Sequence, residues 1–305
     1  KTFDNFRRKK VDIVVIECSS QGLHQGRLNH LTFNDSIVTN LNKDHIEYHK
    51  TFKNYIKSKQ KLLDMTMGNI FLNIDCKNTI SKFSNIKKSK IITYGSHVDE
   101  KIIDRLTKTS DILEDHFVKS NRSLLYKLLI NESYSLNKIK FILNNRSKAI
   151  RGRMNYFRDR RSNAVYIIDY AHTENALELL LRDIKIKSGK LFLITLFGCG
   201  GDRDVSKRSR MGIIAKKYSD KIILTDDNPR NEDSMNIIND IHSKIKDKSN
   251  IYIIPNRKKA IKKALSMSTK DAVIIFAGKG NEDNIIYNNK VIVHNDIDYL
   301  KKLLK

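Results

Sequence analysis

Four groups of polar residues, each following a short apolar run, are placed to do chemistry. The first runs from Glu17 through Cys18-Ser19-Ser20-Gln21-Gly22-Leu23-His24-Gln25-Gly26 to Arg27 and follows the apolar residues 11–16. Open α/β sheets bind ligands beyond the C-terminal ends of their strands. A carboxylate there suits Mg2+, which takes oxygen ligands and keeps waters for phosphate substrates. Glu17 alone reads better as part of an ordinary strand-end loop. The second group spans residues 39–49 and holds Asp44, His45, Glu47 and His49, at a spacing that matches no standard zinc pattern. The third, Phe197-Gly198-Cys199-Gly200-Gly201-Asp202-Arg203-Asp204, sets three glycines between a strand and a helix start. Bare backbone N–H groups and the positive helix end there suit an anion, and Arg203 adds a two-pronged donor. The run is neither a dinucleotide fingerprint nor a Walker loop. The fourth joins Asp227-Asn228-Pro229-Arg230 to Gly278-Lys279-Gly280-Asn281-Glu282-Asp283, both after apolar runs. Cations for a carboxylate and an acid for an ammonium would suit a zwitterion, although any one of these turns could be plain connection.

Positioning such groups requires a sheet. From residue 164 onward the chain alternates strands (165–168, 191–196, 221–224, 251–254, 272–276) with helices (174–184, 205–218, 234–245, 257–266). A short strand near 291–294 and a helix near 297–303 close it. Continuous apolar strands alternating with helices imply a parallel α/β sheet covered on both faces. Before residue 150 the pattern predicts strands at 11–16, 36–39, 70–74 and 91–94. It predicts helices at 51–65, 121–130 and 136–144, with a helix end at 3–10. A domain boundary is expected at 149–151, and the lysine-rich 87–90 reads as a solvated loop. The chain opens in a helix end feeding a strand, without a methionine, which reads as a truncated start.

The bulk composition narrows the function classes. With 305 residues and 40% hydrophobic composition the chain can build two ordinary cores. No run approaches the roughly 18 apolar residues of a membrane span. The net charge of +24 comes from lysines scattered along the chain rather than gathered into a stripe with aromatics. That distribution speaks for compositional drift, not a nucleic-acid groove. Three cysteines, Cys18, Cys76 and Cys199, form no C-x-x-C pair and suit a reducing cytoplasm.

Taken in order, seven motifs resemble the Mur ligase family. They are Glu-x-Ser-Ser, Thr-Asn-Leu-x-x-Asp-His, Gly-Arg-Met, Asp-Tyr-Ala-His-Thr, Phe-Gly-Cys-Gly-Gly-Asp-Arg-Asp, Asp-Asn-Pro-Arg and Gly-Lys-Gly-x-Glu-Asp. The resemblance covers residues 11 to about 298. It implies part of a central ATP-binding domain over 1–150, followed by a Rossmann-like C-terminal domain with a mostly parallel sheet over 151–305. The activity it implies is ATP-dependent addition of meso-diaminopimelate to UDP-N-acetylmuramoyl-L-alanyl-D-glutamate through an acyl phosphate, in peptidoglycan precursor synthesis.

Residue by residue, the resemblance implies that Glu17 and His45 hold Mg2+ and that Lys59, carbamylated, helps hold a second ion. Without the family, Lys59 is one more surface lysine. Ser19, Gln25 and Arg27 would contact the UDP-muramoyl peptide. Arg153 would reach the terminal phosphate of ATP, with Asp169 and His172 bordering the nucleotide. Arg203, Asn228, Arg230, Gly278 and Glu282 would bind meso-diaminopimelate. A cytoplasmic monomer with no nucleic-acid or membrane partner is expected. No G-x-x-G-K-[ST] loop occurs in the chain, so the piece by itself is expected to be inactive. Milder departures are Gln21 and Asn281 where histidine is usual, and Ser206 and Ser209 around Lys207-Arg208. The competing readings are a lysine-adding ligase of the same family, a non-catalytic remnant, and a basic nucleic-acid-binding module.

Overall fold

The computed structural model describes residues 2–41, 45–76, 79–83, 86, 90–107, 116–145, 150–189 and 191–305. Asp44 of the second motif, residues 87–89 of the lysine-rich stretch and Ala149 at the expected boundary lie outside the described residues. The chain forms two compact units, Lys1–Thr93 and Tyr94–Lys305. This division comes earlier than the expected limit near 150.

The first unit contains α1 (Thr2–Arg8), α2 (Ser20–His24), β1 (Ser36–Val38), α3 (Ile46–His49), α4 (Phe52–Asp64), β2 (Ile70–Asn73), α5 (Thr79–Lys82) and β3 (Ile91–Tyr94). Its sheet has the order β1-β2-β3, with β1 and β2 parallel. Helix α4 begins where Thr51 accepts a hydrogen bond from the Asn54 N–H, the usual way an N-cap satisfies an orphan donor. Its buried residues Tyr55, Ser58, Leu62 and Leu63 recur every three to four positions, as one face of a helix must. Tyr55 and Leu63 pack with Val38, Leu41, Ile70, Leu72 and Phe83 to make the core.

One expectation fails here. Residues 11–16 belong to no strand, and Asp12 lies at a bend. Ile13 is 75% and Val15 88% exposed. β-Propensity expresses how well a residue fits a pleated, half-buried surface. The segment forms no ladder with any described strand, so its apolar residues gain no such surface.

The second unit contains α6 (Glu100–Leu106), α7 (His116–Asn131), α8 (Leu136–Asn144), β4 (Asn155–Arg158), β5 (Val165–Asp169), α9 (Glu174–Ser188), β6 (Leu193–Phe197) and α10 (Ser206–Tyr218). It continues with β7 (Lys221–Leu224), α11 (Ser234–His242), β8 (Ile251–Ile253), α12 (Arg257–Ser266), β9 (Val273–Ala277), β10 (Asn284–Tyr287), β11 (Lys290–Val293) and α13 (Asp296–Leu303). The main sheet runs β4-β5-β9-β6-β7-β8. All its pairings are parallel except that of the edge strand β4, which is antiparallel to β5. Strands β10 and β11 form a separate antiparallel hairpin.

Side chains of this sheet alternate between two cores. Ile167, Leu193, Phe197, Val273 and Ile275 pack against Leu177, Leu181, Met211, Ala215, Ile237 and Ile241 of α9, α10 and α11. Tyr166, Ile168, Ile194, Leu196, Ile274 and Phe276 pack against Ala260, Ile261, Ile297 and Leu300 of α12 and α13. The helices after β5 and β6 thus lie on one face, while the chain after β9 leads to α13 on the other. Strand β9 sits between β5 and β6, so connections leave the sheet in opposite directions around its C-terminal end. In such sheets this edge is the usual ligand position.

Candidate functional site

In the second unit four loops, one from each of β5, β9, β6 and β7, follow the strand ends at this edge. Strand β5 ends in Asp169, whose carboxylate accepts the N–H of Met154 at 3.0 Å and of Ala171 at 2.8 Å. Burial pushes this carboxyl above its ordinary range despite those bonds. His172 stands two residues after Tyr170, and its Nδ1 lies 2.9 Å from the Tyr170 carbonyl. Lys207 donates to the His172 carbonyl at 2.8 Å. Arg153 is exposed, with its guanidinium stacked over the Tyr170 ring at 4.5 Å. The arginine is carried on a turn whose Gly152 sits so close to the β9 loop that a Cβ there would lie 2.1 Å from the Asn281 nitrogen. Gly152 also has φ +77, a conformation that only glycine adopts cheaply. The expected nucleotide group, Arg153, Asp169 and His172, is therefore gathered around Tyr170.

The β7 loop and the β9 loop interlock. Asn228 Nδ2 donates to Glu282 Oε2 at 2.8 Å, and its Oδ1 accepts from Lys279 Nζ and from the Ile286 N–H, each at 3.0 Å. Lys279 also donates to Glu282 Oε2 at 2.6 Å. Burial would raise the Glu282 carboxyl, but the hydrogen bonds from Lys279 and Asn228 outweigh it, and the group lies below its usual range. Asp227, buried beside Gly278, goes the other way: burial raises it although Lys279 and Arg257 oppose the shift. Arg230 has φ +53, and its Nη1 donates to the carbonyls of Gly201 at 2.8 Å and Asn228 at 3.4 Å. Those bonds leave the Nε–Nη2 edge, the side of a guanidinium that takes a carboxylate bidentately.

The β6 loop is pinned from behind. Arg208 is 1% exposed, and grips Glu232 with two bonds of 2.8 Å and Asp240 with one of 2.9 Å, while also donating to the Gly200 carbonyl. A Cβ on Gly201 would lie 1.8 Å from the Pro229 carbonyl oxygen, which is why the β6 and β7 loops can touch. Arg203 projects from this loop and is exposed. Asn228, Arg230, Gly278 and Glu282 are thus brought together, with Arg203 on the adjoining loop.

Sequence reasoning assigned no role to Lys279 or Arg257. Arg257 is fully buried. It donates to both oxygens of Asp296, to the carbonyl of Asp226 and to that of Ala277. It ties the ends of β7 and β9 from beneath. In sequence it opens a lysine-rich helix and looks like one more solvated cation. Lys279 had a faint signal, its place between two glycines after a strand.

In the first unit, Ser19 caps α2 by accepting the Gly22 N–H at 3.1 Å, and Gln25 follows at its C-terminus. Glu17, Gln25 and Arg27 are exposed. Lys59 reaches across from α4 to donate to the Cys18 carbonyl at 3.2 Å, next to Glu17. His45 has φ +53 and faces Glu47 at 3.5 Å. His49 is buried between Ser20 and Ser58, with Nε2 2.9 Å from the Ser20 hydroxyl. Burial lowers its pKa, and His24, His45 and Lys59 reinforce the shift.

Among the described residues no three His, Cys, Asp or Glu gather as a metal-holding group. Mg2+ takes one or two carboxylates and fills its shell with water and phosphate oxygens, so Glu17 fits as one ligand. Lys59 as an ammonium ligates nothing; as a carbamate it would supply oxygens.

Comparison with known proteins identifies two family domains in the chain. Residues 1–124 match the Mur ligase middle domain, and residues 152–280 match the Mur ligase glutamate ligase domain. The chain is 38% identical over its whole length to a UDP-N-acetylmuramoyl-L-alanyl-D-glutamate–2,6-diaminopimelate ligase of Clostridium acetobutylicum, covering 66% of it. It is 34% identical to the enzyme of the same name from Rickettsia conorii, covering 67%. A solved structure of such a ligase matches 94% of this chain and 63% of its own, at 28% identity and a TM-score of 0.50. The chain therefore spans about two thirds of the length of the curated relatives it matches. With both domain matches in tandem and 34% identity across the whole of this chain, the chain belongs to the Mur ligase family.

Proposed function

We propose that this chain is the part of an ATP-dependent ligase that receives the amino acid and completes the phosphate site, joining meso-diaminopimelate to UDP-N-acetylmuramoyl-L-alanyl-D-glutamate. The supporting observation is the interlocked group Asn228, Arg230, Lys279 and Glu282, which offers donors and one carboxylate at the sheet edge. Glu282 stays ionised and suits an ammonium, while the Arg230 fork suits a carboxylate. Arg203 and the Gly278 backbone complete that pocket.

In this reading the γ-carboxylate of D-glutamate attacks the terminal phosphorus of ATP, and ADP leaves. The amine of the incoming amino acid then attacks the acyl-phosphate carbon, loses its proton, and expels phosphate. Such chemistry depends on positioning and on cations held where charge develops. Arg153, steadied on Tyr170, would meet the terminal phosphate, with Asp169 and His172 beside the nucleotide. Ser19, Gln25 and Arg27 would hold the muramoyl peptide. Glu17 and His45 would bind Mg2+, and carbamylated Lys59 would help hold a second ion; Mg2+ supplies charge neutralisation at the phosphates. Residues 1–150 and 151–305 would form the central and C-terminal domains of a cytoplasmic monomer. Three cysteines with no disulfide among them fit that compartment. No described helix is long and apolar enough to cross a membrane.

The alternative reading is a non-catalytic remnant of such a ligase. Assaying ligation with the chain alone and with the complete protein separates the two. Turnover is expected only from the complete protein, and its absence there would favour the remnant. Substrate choice is tested by comparing kcat/KM for meso-diaminopimelate and L-lysine before and after Arg230→Ala. A loss of about 100-fold is expected for diaminopimelate, the order of a lost charged hydrogen-bond pair, with little change for lysine. A wild-type preference for lysine would overturn the substrate assignment.

A further inference from the structure

We propose that Lys279 is the positioning residue of the amino-acid site, the cation that decides which atoms of Asn228 and Glu282 face the substrate. This rests on the reading of that site given above.

The Lys279 side chain is 0% exposed. An ammonium has three N–H donors and no acceptor, and here all three are used inside the protein. One goes to Asn228 Oδ1, one to Glu282 Oε2, and one to the carbonyl of Asn284 at the start of β10. Lys279 therefore has no donor left for a ligand; what it does, it does through its neighbours.

The first neighbour is Asn228. Its Oδ1 accepts from both Lys279 and the Ile286 N–H, which occupies both lone pairs. Turning the amide over would aim N–H groups at an ammonium and at a backbone N–H. The orientation is thereby fixed: one Nδ2 hydrogen goes to Glu282 and the other remains for an acceptor on the ligand. The second neighbour is Glu282, whose Oε2 takes both Lys279 and Asn228; the Tyr170 hydroxyl also hydrogen-bonds this carboxyl, and Oε1 keeps accepting capacity for a ligand ammonium. One N–H and one carboxylate oxygen, held side by side, match the ends of an amino acid. The charged and titratable groups around Glu282 are Lys279 on its own turn, Arg230 and Asp227 from the β7 loop, Tyr170 from the β5 loop, and Arg257 from α12. Of these cations, Lys279 is the one bonded directly to the carboxylate.

The test uses Lys279→Met, which keeps the stem and removes the charge. Carbon-13 NMR titration of the Glu282 carboxyl in the full chain should show a pKa at least about one unit higher in the variant, a tenfold change in ionisation. An unchanged value overturns the proposal, and this readout needs no turnover. In the complete protein, KM for meso-diaminopimelate should rise roughly tenfold or more while KM for ATP changes little. The acid limb of kcat/KM should move to higher pH. Equal losses for both substrates would make Lys279 merely structural. Should the single variant fail to fold, Lys279→Met is placed on Glu282→Gln with Asn228→Ala, which removes both neighbours it acts through, and is compared with that pair of substitutions alone. Similar KM values support the coupling, and a further tenfold loss refutes it. Failure of wild-type ligation with diaminopimelate would sink the functional reading, while the NMR result would still decide the role of Lys279.

Discussion

The two units carry their candidate residues in opposite ways. In the second, each loop at the sheet edge grows from a strand buried on both faces, and buried charges tie the loops together from beneath. Arg208 holds the Gly200 loop to α11 and the turn before it, and Arg257 joins the ends of β7 and β9 to Asp296. In the first unit, Glu17 follows a segment that belongs to no strand, and Ser19 is committed to capping a five-residue helix. Lys59 and the buried His49 are the side chains that reach toward this segment. A side chain at a strand end is only as well placed as the ladder beneath it.

The largest effect that would test this contrast is expected from Arg257→Leu. Removing one partner of a buried pair costs on the order of 3–5 kcal/mol because the other charge is left uncompensated. Denaturant unfolding followed in the second unit should show this loss. Arg257→Leu with Asp296→Leu should recover much of it. A cost of less than about 1 kcal/mol for the single variant would mean that the sheet edge is not held from below.

A smaller effect separates the units by pH. His49 is shifted below its ordinary 6.5, first by burial and then by His24, His45 and Lys59. Between the lowered value and 6.5 the unfolded chain binds more protons, so the first unit loses stability as pH falls through that window. In the second unit Asp169, Asp226 and Asp227 lie above the ordinary 3.8, chiefly through burial. There the folded chain takes up protons first, and stability rises as pH falls toward 3.8. Asp296, buried yet bonded to Arg257 and His294, and Glu232, bonded to Arg208, lie below their usual values. Their contribution is lost only as pH falls below about 4, the ordinary carboxylate range. Hydrogen exchange corrected for intrinsic rates, at pH 7 and pH 5.5, should show α4 losing protection at the lower pH, while β9 holds or gains. The reverse order would break the comparison.

The smallest effect is expected at Ser19. Its hydroxyl caps α2, so Ser19→Ala should cost about 1 kcal/mol or less, and Ser19→Gly a few tenths. Thermal melts of the two variants give the ranking. A loss well beyond 2 kcal/mol would show that the segment around Glu17 is more firmly built than its exposure indicates.

The strand–helix rhythm from residue 164 onward was legible because both periodicities are local: apolar runs of strand length, and helix faces repeating every three to four residues. The sheet edge was legible too, since polar groups that follow apolar runs must lie at strand ends. Strand β4 escaped notice because an edge strand with one polar face, Asn155-Tyr156-Phe157-Arg158, has no continuous apolar run. Residues 11–16 misled in the other direction: their composition is that of a strand, but a strand exists only against a neighbour. The order β5-β9-β6, which puts the last strand between the first two of the parallel series, decides which loops meet, and no local pattern encodes it. By itself the sequence determined which residue types stand at strand ends. Only the tertiary structure decided that Arg257 and Lys279 are buried among acceptors rather than dissolved among the other lysines and arginines, because burial and pairing depend on residues dozens of positions away.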